Sequence, residues 1–99
     1  MDEKIRYRLT WNYNGRLNKD GKAPVAAECR QGKRKIYISS KVMLTPDQWK
    51  NGKVVNHDNA EKLTVYLTKW LHSIEETELD MLLKGKSMSL SQLKEAVKS

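Results

Sequence analysis

Ninety-nine residues with a net charge of +7 leave room for one domain and a modest core. A single cysteine, Cys29, excludes an intrachain disulfide, and no apolar run suits a membrane span or a signal peptide, so the expectation is a soluble cytoplasmic protein. The charge is lopsided: residues 1–44 carry 11 basic and 4 acidic side chains, whereas residues 45–99 carry 8 of each, which points the first half at a polyanion.

Ile5, Tyr7, Leu9, Trp11 and Tyr13 alternate with Arg6, Arg8, Thr10 and Asn12. Successive side chains of a strand point to opposite faces, so this stretch predicts a strand with two separate tasks. One face seals a core; the other presents two guanidinium groups beside two hydrogen-bonding side chains. Residues 14–24, rich in Gly, Asn, Asp and Pro, predict a mobile hairpin loop whose tip carries Arg16, Lys19 and Lys22. Residues 25–30 predict a second strand with Val25, Ala27 and Cys29 facing inward, and a turn follows with Lys33 and Arg34. Residues 35–40 predict a third strand with Ile36 and Ile38 inward and Lys35, Tyr37 and Ser39 outward. The outward face then gathers Arg6, Arg8, Thr10, Asn12, Glu28, Arg30, Lys35 and Tyr37.

Thr45-Pro46-Asp47-Gln48 has the makings of a capping box with proline at the first helical position, which predicts a short helical turn over 45–52 that tucks Trp49 inward and ends at Asn51-Gly52. Residues 53–57 are a connector without assignable structure. Asp58 or Asn59 caps a long helix over 59–84, in which Leu63, Leu67, Trp70, Leu71, Ile74, Met81 and Leu82 form an apolar stripe. The acidic run Glu75, Glu76, Glu78 and Asp80 sits on this helix, where it repels a polyanion. Gly85 is a stop, and Ser89-Leu90-Ser91-Gln92 opens a short helix over 89–97. The fold class is α+β: a three-stranded antiparallel β-sheet over 5–44 packed against one long α-helix, with a short C-terminal helix. Trp11, Trp49 and Trp70 are expected to be shielded in that packing. The chain stops while still helical, as a piece of a longer protein would.

No catalytic set can be assembled. His57 and His72 have no metal-ligand spacing to another His or Cys, there is no glycine-rich phosphate loop, and Cys29 lies in a core-facing register. The expectation is a binding domain with no cofactor, no metal and no membrane partner. The polar sheet face suits the major groove of duplex DNA, where Arg pairs with guanine and Asn with adenine while Lys and Arg neutralise phosphates. Two alternatives stand beside it: a protein-interaction module that adds a partner strand at the sheet edge, and a double-stranded RNA-binding module.

Three motifs narrow the choice. Arg16-Leu17-Asn18-Lys19-Asp20-Gly21-Lys22-Ala23-Pro24 lies between the first two strands, Gly32-Lys33-Arg34-Lys35 at the second turn, and Pro46-Asp47-Gln48-Trp49 after the third strand. In this combination the chain resembles the N-terminal arm-binding domain of tyrosine recombinases (integrases) from bacterial conjugative transposons and prophages. The likeness spans most of residues 5–95. It departs at Ser39-Ser40-Lys41, where the family often has a Ser-Thr-Gly step and one residue fewer. The resemblance implies a single arm domain over 1–99 whose last helix leads into a core-binding domain. It also implies double-stranded DNA with arm-type repeats as the partner, and other recombinase protomers as further ones. The DNA-binding set is then Arg6, Arg8, Thr10, Asn12, Arg16, Lys19, Lys22, Glu28, Arg30, Lys33, Arg34, Lys35 and Tyr37. The tyrosine nucleophile belongs to a catalytic domain outside these residues.

Overall fold

Three strands, β1 (Arg6–Trp11), β2 (Ala23–Gln31) and β3 (Arg34–Leu44), pair antiparallel in the order β1-β2-β3. The computed structural model describes residues 4–98, so residues 1–3 and 99 of the expected domain lie outside it. Tyr7 pairs with Cys29 and Cys29 with Ile36; Leu9 pairs with Ala27 and Ala27 with Ile38. These rows make the inner face, as the alternation in the sequence requires.

The long helix α1 (Ala60–Leu83) and the short helix α2 (Leu90–Lys98) cover that face. One buried cluster joins Ile5, Ala27 and Cys29 to Ile74, Met88, Leu90 and Leu93. A second joins Val25, Leu44, Val54 and Leu67, and Trp70 packs against both. Trp11 and Trp49 pack on the second cluster, and all three tryptophans are half-buried. The Trp11 indole N–H donates to the carbonyls of Ala23 (3.0 Å) and Leu44 (3.1 Å), which fastens β1 to the ends of β2 and β3. At the start of α2 the expected capping box is present: the Ser89 N–H donates to Gln92 Oε1 and the Gln92 N–H to Ser89 Oγ.

Four local expectations need correction. Residues 45–52 are not one helical turn: only Pro46–Gln48 are helical, of the 3-10 kind, and a small hairpin of β4 (Trp49–Lys50) and β5 (Lys53–Val54) follows. Asn51 and Gly52 both have positive φ, at 53° and 79°, the twist that a two-residue hairpin turn demands. The third strand runs on to Leu44 through a bulge at residues 40–42, opposite Val25, with Lys41 at φ 68°. There the Ser40 hydroxyl donates to the Val25 carbonyl at 2.7 Å and accepts the Val42 N–H at 3.1 Å, supplying side-chain bonds where the ladder is interrupted. The α1 cap is Asn59 by position, but its side chain makes no capping bond; His57 Nδ1 accepts the Asn59 N–H at 2.9 Å instead.

The fourth correction concerns Glu78. It is 1% exposed, on the core side of α1 rather than in the solvated acidic run. Its carboxylate accepts the Ile5 N–H at 2.8 Å and the Tyr7 hydroxyl at 3.0 Å, with Lys4 Nζ at 3.7 Å. Glu78 lies four residues after Ile74 and three before Met81, in phase with the apolar stripe, and the backbone N–H ahead of β1 supplies the partner that a buried carboxylate needs.

Candidate nucleic-acid interface

The outer sheet face is built in rows by the strand register. Arg6 pairs with Arg30 and Arg30 with Lys35; Arg8 pairs with Glu28 and Glu28 with Tyr37; Thr10 pairs with Ala26 and Ala26 with Ser39. Arg6, Arg8, Arg30 and Lys35 are exposed. Both helices lie on the other side, with the exposed Glu76 and Asp80 on α1. The cations of the sheet thus face away from the acidic helix.

Two positions within the rows are covered, Ala26 and Glu28, and Glu28 is the charged one. It points to the outer face yet is 4% exposed, because two arginines close over it. Its Oε2 is bound by Arg8 Nε, and its Oε1 lies 3.7 Å from Arg30 Nη2. With Arg6 and Tyr7 these residues line a depression of about 200 Å³. A lone buried carboxylate would be costly; two guanidinium partners offset that.

Asn12 and Tyr13 do not continue the alternation. Asn12 has φ 54°, so β1 ends at Trp11 and the chain turns. The Asn12 N–H donates to the Pro24 carbonyl, and Asn12 Oδ1 is buried without a hydrogen-bond partner among the described residues. Asn12 is therefore not a fourth member of the outward row, and Tyr13 is not in the core. Instead Tyr13, 38% exposed, stacks on Tyr37, while Lys35 Nζ lies 5.7 Å from the Tyr37 ring centre on the same face. The signal for this was the Asn12-Tyr13-Asn14-Gly15 run: asparagine tolerates the left-handed region that most side chains avoid.

The remaining cations sit around the rim. Arg16, Lys19 and Lys22 are exposed in the β1–β2 loop, whose backbone is tied by Asn18. Asn18 Oδ1 accepts the N–H groups of Asp20 and Lys22, each at 2.9 Å. Lys33 is exposed in the β2–β3 turn. Arg34 instead pairs with Gln31, and with Lys35 and Ile36 it lines a groove against Ser89, Leu90 and Ser91 at the start of α2.

Compared with known protein families, residues 10–94 match the model of the arm DNA-binding domain. The chain belongs to this family. It is a DNA-binding domain of the arm type found in integrases, and the match runs from β1 into α2. No curated protein and no solved structure matches the chain. Among the described residues of this arm domain, no group of three His, Cys, Asp or Glu side chains could hold a metal ion. No helix among them is long and apolar enough to cross a membrane.

Proposed function

We propose that this arm domain reads arm-type repeats in duplex DNA on behalf of a site-specific tyrosine recombinase, with the outer face of β1-β2-β3 laid in the major groove. The observation that carries the reading is the row pattern: Arg6, Arg30 and Lys35 abreast, then Arg8 and Tyr37 flanking a covered Glu28, all on the helix-free side. Three strands about 4.8 Å apart span about 10 Å, which suits a B-DNA major groove about 12 Å wide. Arg8 and Arg30 are the candidates for guanine edges, and the Tyr13–Tyr37 pair offers an apolar surface for a thymine methyl. Lys19, Lys22, Lys33 and Arg16, exposed in the β1–β2 loop and the β2–β3 turn, are the candidates for flanking phosphates.

A duplex library with a randomised centre tests this reading. The domain should enrich a sequence motif, and log K against log salt should fall with a slope near −4 to −5 if about five phosphates are neutralised. Duplex RNA should compete poorly, since its major groove is too deep and narrow for the sheet. A flat salt response with no enrichment would overturn the reading in favour of a protein partner at the sheet edge.

A further inference from the structure

We infer that Glu28 is a positioning residue for DNA readout: it does not meet the DNA itself but holds Arg8, and through a looser contact Arg30, in the attitude that reads bases. The inference rests on the proposed use of the outer sheet face. Glu28 occupies the central strand with Arg8 directly across from it and Arg30 two residues along. Its own surface is almost wholly covered, whereas the Arg8 and Arg30 side chains are 72% and 56% exposed. A carboxylate this covered is poorly placed to accept a bond from cytosine, and an uncovered one would repel phosphates.

The geometry of the Arg8 contact carries the argument. Glu28 binds Arg8 through Nε, the nitrogen nearest the backbone. The Arg8 side chain is 72% exposed, and its two terminal nitrogens lie beyond Nε along it. They are the pair that forms an end-on fork with guanine O6 and N7. An unrestrained arginine on an open sheet samples many rotamers and falls readily to a phosphate as a mobile charge. Anchoring Nε removes most of that freedom before DNA arrives, so the entropy of ordering the fork is not charged to binding. Glu28 also lowers the charge of the face by one, which weakens attachment to arbitrary DNA. Both effects favour discrimination over bare affinity.

The test compares the unaltered domain with Glu28→Gln, Glu28→Asp, Arg8→Gln and the double variant Glu28→Gln/Arg8→Gln. Each is measured for thermal melting, for affinity to an unselected duplex library, and for discrimination between the enriched sequence and its single-base-pair variants. Glu28→Gln should melt cooperatively and bind the unselected library as well as the unaltered domain or better, yet lose roughly tenfold or more in discrimination at one base pair. Glu28→Asp keeps the charge but withdraws the carboxylate, so its affinity for the unselected library should stay unchanged while discrimination falls. Arg8→Gln should lose discrimination at the same base pair, and the double variant should lose little more. A merely structural glutamate would lower melting and both affinities together. Full discrimination in Glu28→Gln and Glu28→Asp overturns the inference, as does a double variant whose loss equals the product of the single losses, which would mean that Glu28 reads a base on its own. If the unaltered domain enriches no sequence, it is the DNA-readout reading that fails.

Discussion

Tyr13 lies flat against Tyr37, with ring centres 4.6 Å apart and planes 14° from parallel. The contact joins the chain just beyond β1 to the middle of β3 across the outer face, and it exists because Asn12 takes a φ of 54°. Stacked aromatic pairs contribute about 0.5–1.5 kcal/mol beyond their buried area. Tyr13→Ala should therefore reduce stability only modestly, by about 1 kcal/mol. Replacing thymine by uracil in an enriched duplex tests the pair directly. The base edge is unchanged except for the methyl, so affinity should drop for the unaltered domain and not for Tyr13→Ala/Tyr37→Ala. Equal losses in both proteins would remove the methyl contact from the interface.

Asn12 itself is open to test. A β-branched residue held in the left-handed region costs about 1–2 kcal/mol or more, whereas glycine enters it freely. Asn12→Val should lower unfolding free energy in urea by about that amount and Asn12→Gly by much less, since glycine takes up a φ of 54° without strain. Comparable destabilisation by both substitutions would show that backbone conformation is not what selects asparagine here.

The two faces of β1 should separate under mutation. Arg6→Ala removes an exposed cation, so melting should hold while DNA binding weakens. If the contact is to phosphate alone, the salt slope should shrink by about one unit. Leu9→Ala, which empties a place beside Val25 and Leu67, should cost about 2–3 kcal/mol of stability. Lys69→Ala, exposed on α1 away from the sheet's outer face, is the charge control and should leave DNA affinity nearly unchanged. If Lys69→Ala weakened binding as much as Arg6→Ala, the helix face would have to be reconsidered.

Glu78 ties α1 to the start of β1. Glu78→Ala would leave the Ile5 N–H and the Tyr7 hydroxyl unpaired in a buried place, at a cost of about 2–4 kcal/mol. Glu78→Gln, which keeps an acceptor oxygen, should cost less. Chemical denaturation of both variants gives the comparison, and the DNA affinity of the folded fraction should be unchanged because the outer face is untouched.

Alkaline pH should destabilise the domain through the buried Cys29 and the half-buried Tyr7. Burial, reinforced by the nearby Glu28 and Glu78 carboxylates, pushes the Cys29 thiol up from 9.0 to about 12. Burial and then Glu78 also raise Tyr7 well above the ordinary phenol range. Since the folded state holds each proton more tightly than the unfolded chain, the stability tied to Cys29 is whole below pH 9 and is lost as pH rises through about 12. The decline is at most about 1.4 kcal/mol per pH unit for each group. Melting temperature followed from neutral to alkaline pH should show this fall, with a shallower limb in Cys29→Ala. An unchanged limb would mean that Cys29 does not titrate in the unfolding transition.

Much of the arm domain is legible in its sequence because the signals are local. The alternation from Ile5 to Trp11, the stripe from Leu63 to Met81 and the Ser89–Gln92 box each depend on residues within a turn or a strand of one another. They locate the long helix to within a residue or so and define two opposed faces of the sheet. The outward positions of Arg6, Arg8, Arg30, Lys35 and Tyr37 follow from parity alone. The Asn51-Gly52 hairpin was equally local, but a capping signal just before it competes for the same residues.

What only the tertiary structure decided concerns residues whose energetics depend on distant partners. Glu78 reads as one more acid on a solvated helix until the N–H of Ile5, 73 residues away, makes its burial affordable. Glu28 belongs to the outward row by parity, yet Arg8, 20 residues earlier, binds its carboxylate and it is almost wholly covered. Tyr13 belongs to the core by parity until Asn12 reverses the backbone and Tyr37 receives the ring. Periodicity assigns a side chain to a face; whether that face is water, core or a neighbouring side chain is set by long-range packing, because a buried charge or a left-handed residue persists only where that packing compensates it.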